Sequence, residues 1–180
     1  MILESPKVNP TVFRDITFAV CGRAEATREL RNPERGWTHV ISIVDDNKEN
    51  IPPTLRPTLR LRFDDVNPNN ANSSPEDIKA RFGYIAATRA DIEKIVDFAV
   101  AMPAESRLLV HCEMGISRSA AAAIIAIMAR YGVDYPEAAA AVKKARPSAQ
   151  PNSWMVWLYG NILTEKAPKI IEFADLLKKR

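Results

Sequence analysis

Cysteine and histidine are scarce in this chain, two of each among 180 residues. Cys21 and Cys112 make a poor disulfide framework. Apart from the neighbours His111 and Cys112, the four residues are dispersed and match no zinc-binding spacing, so no metal and no cofactor is expected. Long hydrophobic runs are missing too. The longest, Ala120 to Ala129, is about half of what a bilayer crossing needs, and no membrane insertion is expected. No basic-then-apolar leader opens the chain, which makes the cytoplasm the expected location. Charge of one sign is also lacking. The 25 basic residues against 22 acidic ones leave a net +3, too mild to point to nucleic acid. The basic end Lys178-Lys179-Arg180 reads as a helix terminus whose cations offset the negative pole of the dipole. There is no internal repeat and no flexible interdomain linker, and nothing in the chain indicates an oligomeric state.

What is present reads as strands separated by helices. Ile16 to Cys21, Trp37 to Val44, Thr58 to Phe63 and Leu108 to His111 read as strands. In the third of these, Leu59, Leu61 and Phe63 alternate with Arg60 and Arg62, giving one apolar and one charged face. Residues 1–14 show little pattern. Helices are expected over Ala24 to Leu30, from a cap at Ser73 or Ser74, over Thr88 to Met102, over Ser119 to Tyr131, and over Pro136 to Ala145. A further helix starts after Asn152 and runs to about Lys166, and Pro168 opens a last one. Asp45 to Pro53 and Asn67 to Ser74 read as polar loops. This order predicts an α/β fold with a central, mostly parallel twisted sheet of about four to five strands, flanked by helices on both sides. Ligands of such sheets bind at the carboxyl ends of the strands. There the pairs Asp45-Asp46 and Asp64-Asp65 are expected to share a rim with Cys112.

The run Val110-His111-Cys112-Glu113-Met114-Gly115-Ile116-Ser117-Arg118-Ser119 carries the chemistry. It joins a buried strand to an alanine-rich helix, so loop N–H groups and a helix N-terminus converge on one thiol. Such a place holds an oxyanion and favours the ionised sulfur. Cys112 is the expected nucleophile toward phosphorus. Gly115 allows the turn that aims amides inward. Arg118 offers a planar fork that fits two phosphoryl oxygens. Each such donor is worth roughly 3–4 kcal/mol in a transition state. Glu113, Met114, Gly115, Ile116 and Ser117, with Arg118, are the expected phosphate-binding residues, through the main chain of the loop. Glu113 is expected to face solvent. Ser119 can donate its hydroxyl to the sulfur. The strand pleat turns His111 away from Cys112, toward a role in supporting the loop. Cys21 reads as core. A redox bridge from Cys21 to Cys112 is conceivable because both follow strands.

This loop resembles that of the cysteine-based protein tyrosine phosphatase superfamily, with its Cys-x5-Arg pattern, and is closest to the compact dual-specificity type. The resemblance also covers Thr38-His39-Val40-Ile41-Ser42-Ile43, Phe63-Asp64-Asp65, Tyr131-Gly132, Glu137-Ala138, Arg146-Pro147 and Pro151-Asn152. It spans roughly residues 16–165 and implies a single phosphatase domain over residues 1–180, with a C-terminal helix over 168–179. By that resemblance Cys112 forms a phosphocysteine, Arg118 clamps the phosphate, and Ser119 aids breakdown of the intermediate. A general acid follows the Phe63 strand. Asp65 is preferred for it and Asp64 is the alternative. Asp45 and Asp46 read as solvated charges or helix caps. Arg146 reads as a structural ion pair rather than a rim residue, and Asn152 as an N-cap, although Gln150 and Asn152 are placed to reach the loop. The segment from Asp65 to Pro75 is longer than in small relatives and either shapes the entrance or is surface slack. The loop interior holds no lysine, which leans toward singly phosphorylated residues such as phosphotyrosine and away from inositol phospholipids. The expected partner is a phosphorylated protein or small phosphoester. Alternatives are a catalytically silent phosphopeptide-binding adaptor, a phosphatase of a non-protein phosphoester, and rhodanese-like sulfur or arsenate chemistry.

Overall fold

Strands buried on both faces form the centre of the molecule. A computed structural model describes residues 8–45 and 55–178. The expected polar loop from Asp46 to Pro53, and the side chains of Lys178, Lys179 and Arg180, lie outside the described residues. Five strands form one sheet in the order β1-β2-β5-β3-β4: β1 (Thr11–Phe13), β2 (Ile16–Gly22), β3 (His39–Val44), β4 (Thr58–Arg62) and β5 (Arg107–Cys112). β2, β5, β3 and β4 run parallel, and β1 pairs antiparallel with β2. This is the expected α/β architecture, with one strand more than the apolar runs revealed. β1 is too short to show a period. Its place is held by the turn at Arg14-Asp15, where the Asp15 carboxylate accepts hydrogen bonds from Tyr131 and Arg130.

Alternate residues of the central strands serve two cores. Phe18, Val20, Ile41, Ile43, Leu108 and Val110 face the main core. Ala19, Cys21 and Leu109 face a smaller cluster with Ala26 and Trp37. Helix α1 (Arg23–Arg31) covers the smaller face, against β2 and β5. The main face is covered by α3 (Arg89–Ala101), α4 (Arg118–Tyr131), α5 (Tyr135–Ala145) and α6 (Ser153–Lys178), with the shorter α2 (Pro75–Phe82) preceding them. α4 is the hub. Residues 118–127 are all buried, and the alanines among them let the helix lie close to the sheet and to α3, α5 and α6. Ile124, Ile125 and Ile127 are fully buried, each worth about 1.5–3 kcal/mol.

Local chemistry sets the helix ends. Ser74 and Asp77 form a reciprocal capping box before Pro75, and Thr88 and Asp91 form another. Gly83 and Gly132 close α2 and α4 in the left-handed conformation. The C-terminal region departs from expectation. α6 runs unbroken from Ser153 to Lys178, where a new helix was expected at Pro168. An internal proline removes one backbone hydrogen bond, about 3 kcal/mol. Here the helix takes that loss and does not restart.

Candidate active site

Cys112 ends the central strand β5, and Arg118 opens α4 six residues further on, so the intervening loop lies at the carboxyl rim of the sheet. The Cys112 thiol is buried. The Gly115 N–H donates to its Sγ at 3.3 Å, and Ser119 Oγ stands 3.2 Å from the same sulfur. Gly115 has φ +71°, and a Cβ added there would lie 2.2 Å from the Cys21 carbonyl carbon. Only glycine fits so close to the neighbouring strand.

The outer face of the loop is tied down carbonyl by carbonyl. Glu113 O accepts from Arg23 N at 3.0 Å, Ile116 O from Gln150 N at 2.9 Å, and Ser117 O from Asn152 N at 3.3 Å. Met114 O accepts from Arg146 Nη2 at 3.2 Å. A trans peptide points its C=O and N–H in opposite directions. Each carbonyl fixed outward therefore turns the following amide inward. For the Met114–Gly115 peptide this is seen directly, since its N–H is the one that meets Cys112 Sγ. Arg146 is itself held by Glu25 at 3.0 Å, and Glu25 also accepts from Gly22 N at 2.6 Å. Arg146 thus forms the expected ion pair. Its partner Glu25, on α1, was not foreseen.

The Arg118 guanidinium is buried. Nη1 donates to Phe63 O at 2.7 Å and to Asp45 Oδ1 at 2.6 Å. This corrects the expectation that Asp45 is a solvated charge or cap. β3 and β4 end side by side, so the residues after them converge on Arg118, a closeness that neither loop shows by itself. Asp46 lies outside the described residues. Arg118 Nε is buried without a hydrogen-bond partner and lies 3.9 Å from Asp65 Oδ2.

The two candidate acids part ways. The Asp64 carboxylate accepts from Ile85 N at 2.7 Å and its own N–H donates to Ile85 O at 2.7 Å, which ties it to the segment before α3. Asp65 faces the loop. Its Oδ1 accepts from Ser117 Oγ at 2.7 Å and from Asn152 Nδ2 at 2.8 Å. The other end of the Asn152 amide, Oδ1, accepts from Met155 N at 3.1 Å and caps α6. Asn152 is both the expected N-cap and a contact of the candidate acid. Beside Asp65 runs a groove of about 260 Å³, lined by Asp65, Asn67, Ser117, Gln150, Asn152 and Ser153. The start of the segment after Asp65 thus forms one wall of this groove.

His111 is fully buried, and neither ring nitrogen has a hydrogen-bond partner. Burial pushes it down to about 4, so the ring is neutral at physiological pH. Glu113 pairs with Arg23 at 3.8 Å, a more specific neighbour than the solvent expected. The Met114 side chain is exposed, which leaves only main-chain groups of that residue to the loop.

The sequence matches the family described as "Dual specificity phosphatase, catalytic domain" over residues 38–161. The chain belongs to this family. Membership supports phosphatase activity in general terms. Mouse Protein phosphatase Slingshot homolog 3 is 47% identical over 47 residues, 26% of this chain and 7% of that protein. This stretch is a small part of a much longer relative. A point variant of human DUSP28 shares the fold with a TM-score of 0.59 at 21% identity, covering 89% of this chain and 99% of that one. PTPMT1, solved in complex with PI(5)P, gives 0.57 at 17% identity, covering 86% of this chain and 94% of that one. In this chain the Cys-x5-Arg loop joins β5 to α4.

For this dual-specificity family member, Cys112, Gly115, Ser117, Arg118, Ser119 and Asp65 meet at one rim, and Asp64 does not reach it. Among the described residues no group of three or more His, Cys, Asp or Glu is arranged to hold a metal. Likewise no described helix is long and apolar enough to cross a membrane. Sequence reasoning placed Asp45 at the rim but missed its pairing with Arg118, and it missed Glu25 altogether. Asp45 carried one usable signal, its place directly after a parallel strand. Glu25 carried none.

Proposed function

We propose that the chain is a phosphotyrosine phosphatase acting through a phosphocysteine, with phosphoserine and phosphothreonine as further candidate substrates. The carrying observation is the convergence of Cys112 Sγ, the Arg118 guanidinium and the Asp65 carboxylate over one loop of inward amides. In the first step the Cys112 thiolate attacks phosphorus. The bond from phosphorus to the leaving oxygen breaks, and Asp65 passes its proton to that oxygen. The amides of residues 113–118 and the open edge of Arg118 take up the charge on the equatorial oxygens. In the second step ionised Asp65 accepts a proton from water, the water oxygen bonds to phosphorus, and the sulfur–phosphorus bond breaks. Ser119 donates a hydrogen bond to the departing sulfur at its 3.2 Å station.

Asp65 is favoured over Asp64 because Ser117 and Asn152 hold it at the loop, whereas Asp64 is committed to Ile85. The phosphotyrosine preference rests on a loop interior without lysine. The whole chain is read as one phosphatase domain, with a phosphorylated protein as its partner. Its working location is taken to be the cytoplasm, where a catalytic thiol stays reduced. The deciding experiment measures turnover of a small aryl phosphate, then of phosphotyrosine, phosphoserine and phosphothreonine peptides and an inositol phospholipid. Turnover by the wild type, lost in Cys112→Ser, supports the proposal. An inactive wild type that binds phosphopeptide tightly would make the chain an adaptor. Preference for the lipid would overturn the substrate assignment alone.

A further inference from the structure

A second groove borders the one beside Asp65. It holds about 300 Å³ and is lined by Tyr135, Ala139, Ala140, Val142, Ala149 and Pro151, together with Lys143. Only Tyr135 and Lys143 bring polar side-chain atoms to it, and the alanines of α5 are too small to fill it. Pro151 is a wall of both grooves. The segment 149–152 stands between them as a ridge, tied on both sides. Lys143 Nζ donates to Ala149 O at 2.9 Å, and Gln150 N donates to Ile116 O at 2.9 Å. The apolar groove is thus held in a fixed place relative to the Cys-x5-Arg loop. Gln150 is exposed and lines the groove beside Asp65. Its side-chain amide makes no hydrogen bond among the described residues. Neither the apolar groove nor that amide enters the two-step reaction.

We infer that the groove between α5 and the 149–152 ridge is a specificity subsite for a phosphorylated polypeptide: it takes a large apolar side chain, such as leucine, that stands a few residues from the phosphorylated one. This deepens the phosphatase reading and rests on it. The shared wall at Pro151 makes the groove continuous with the surface beside the candidate proton donor, so a chain lying over Asp65 passes on to it. The two kinds of surface match the two parts of a peptide. An extended chain sends side chains to alternate sides about every 3.3 Å and keeps main-chain amides between them. The groove receives a side chain, where burial of apolar area is the driving force. The Gln150 amide, which both donates and accepts, meets the main chain beside it. A lipid acyl chain would fill the groove but leave that amide without a partner.

The test uses the intact wild-type chain and peptides that carry a non-hydrolysable phosphonate analogue of phosphotyrosine, so that binding is read without turnover. Leucine is scanned through three positions on each side of that residue in an otherwise alanine background. At one position leucine is expected to tighten Kd about tenfold. Ala140→Trp, which fills the groove, is expected to remove that gain and to leave unchanged both the Kd of the leucine-free peptide and the turnover of aryl phosphate. Tyr135→Ala, which takes away the aromatic wall, is expected to shrink the gain. Melting temperatures of both variants are recorded, and if Ala140→Trp does not fold, Tyr135→Ala decides. A flat leucine scan, or a gain that survives in the folded variants, would overturn the inference. With a flat scan, weaker binding of Ala140→Trp to phosphatidylcholine vesicles containing a phosphatidylinositol phosphate would give the groove to lipid, and a dimer that Ala140→Trp dissociates in sedimentation would give it to a second copy. A leucine gain in a chain that turns over no aryl phosphate would sink the phosphatase reading and leave the subsite standing.

Discussion

Cys21 stands one residue before the end of β2, and Cys112 ends β5 on the neighbouring parallel strand, in register with Gly22. Both thiols are buried. Alternation sends them to opposite faces of the sheet. Cys21 lies among Ala19, Ala26, Trp37 and Leu109, and burial, then the nearby Glu25 carboxylate, pushes its thiol well up. Cys112 has the Gly115 amide and the Ser119 hydroxyl within reach. Equal burial thus goes with different surroundings. What separates the two is whether the backbone after the strand turns its donors back toward the sulfur. The opposed faces also remove Cys21 as a resolving partner, because a disulfide needs Cβ atoms about 3.5–4.5 Å apart and aimed at each other.

The comparison is broken most sharply by exchanging the two thiols. Cys112→Ser is expected to lower aryl phosphate turnover by at least about 10³-fold, while Cys21→Ser keeps it within a few-fold (about 1–3 kcal/mol of stability lost). Equal losses of turnover would erase the distinction. Next comes Gly115→Ala, which puts a methyl 2.2 Å from the Cys21 main chain. The loop must then leave the strand. Turnover should fall by about 10²-fold, and tungstate binding should weaken with it, whereas the same measurements on Gly83→Ala, whose added Cβ meets nothing, should show no change.

The third prediction concerns the proton. Asp65→Asn is expected to flatten the basic limb of the pH–rate profile and lower kcat by about 10²-fold. Asp64→Ala should keep the limb and lose about 1–3 kcal/mol of stability with its bond to Ile85 N. A flattened limb in the Asp64 variant alone would reverse the assignment.

The last prediction sharpens the picture of the Cys21 face, which also holds His111, the register partner of Cys21. Burial keeps the folded imidazole down at about 4, below its ordinary 6.5. Between those values the unfolded chain binds the extra proton. Stability is therefore full above about 6.5, falls as the pH drops toward 4, and is lost by about 3 kcal/mol in all. Urea unfolding at a series of pH values should show this slope, and His111→Leu should remove it. An unchanged slope would mean that other groups carry the acid sensitivity.

The parts of the site within a short reach of sequence were legible. Cys112, Gly115, Arg118 and Ser119 lie on one strand–loop–helix unit, and each residue type has a local reason. The strands could be read because burial on both faces writes continuous apolar runs, as at Phe18 to Cys21. β1 could not, being three residues long. Asp45 looked solvated because its partner lies 73 positions away and meets it only once β3, β4 and β5 are laid side by side. Glu25 was invisible for the same reason, since Arg146 approaches from the far end of α5. Pro168 misled because a proline's local preference was given more weight than the helix around it.

Asn152 uses one amide for two ends: its oxygen begins a helix of 26 residues, and its nitrogen grips the candidate proton donor. The two tasks have no separate adjustment. A tilt or unwinding of the first turn of α6 is transmitted through three bonds of a planar group to the Asp65 carboxylate, so anything that grasps the far side of that helix also has a hand on the chemistry.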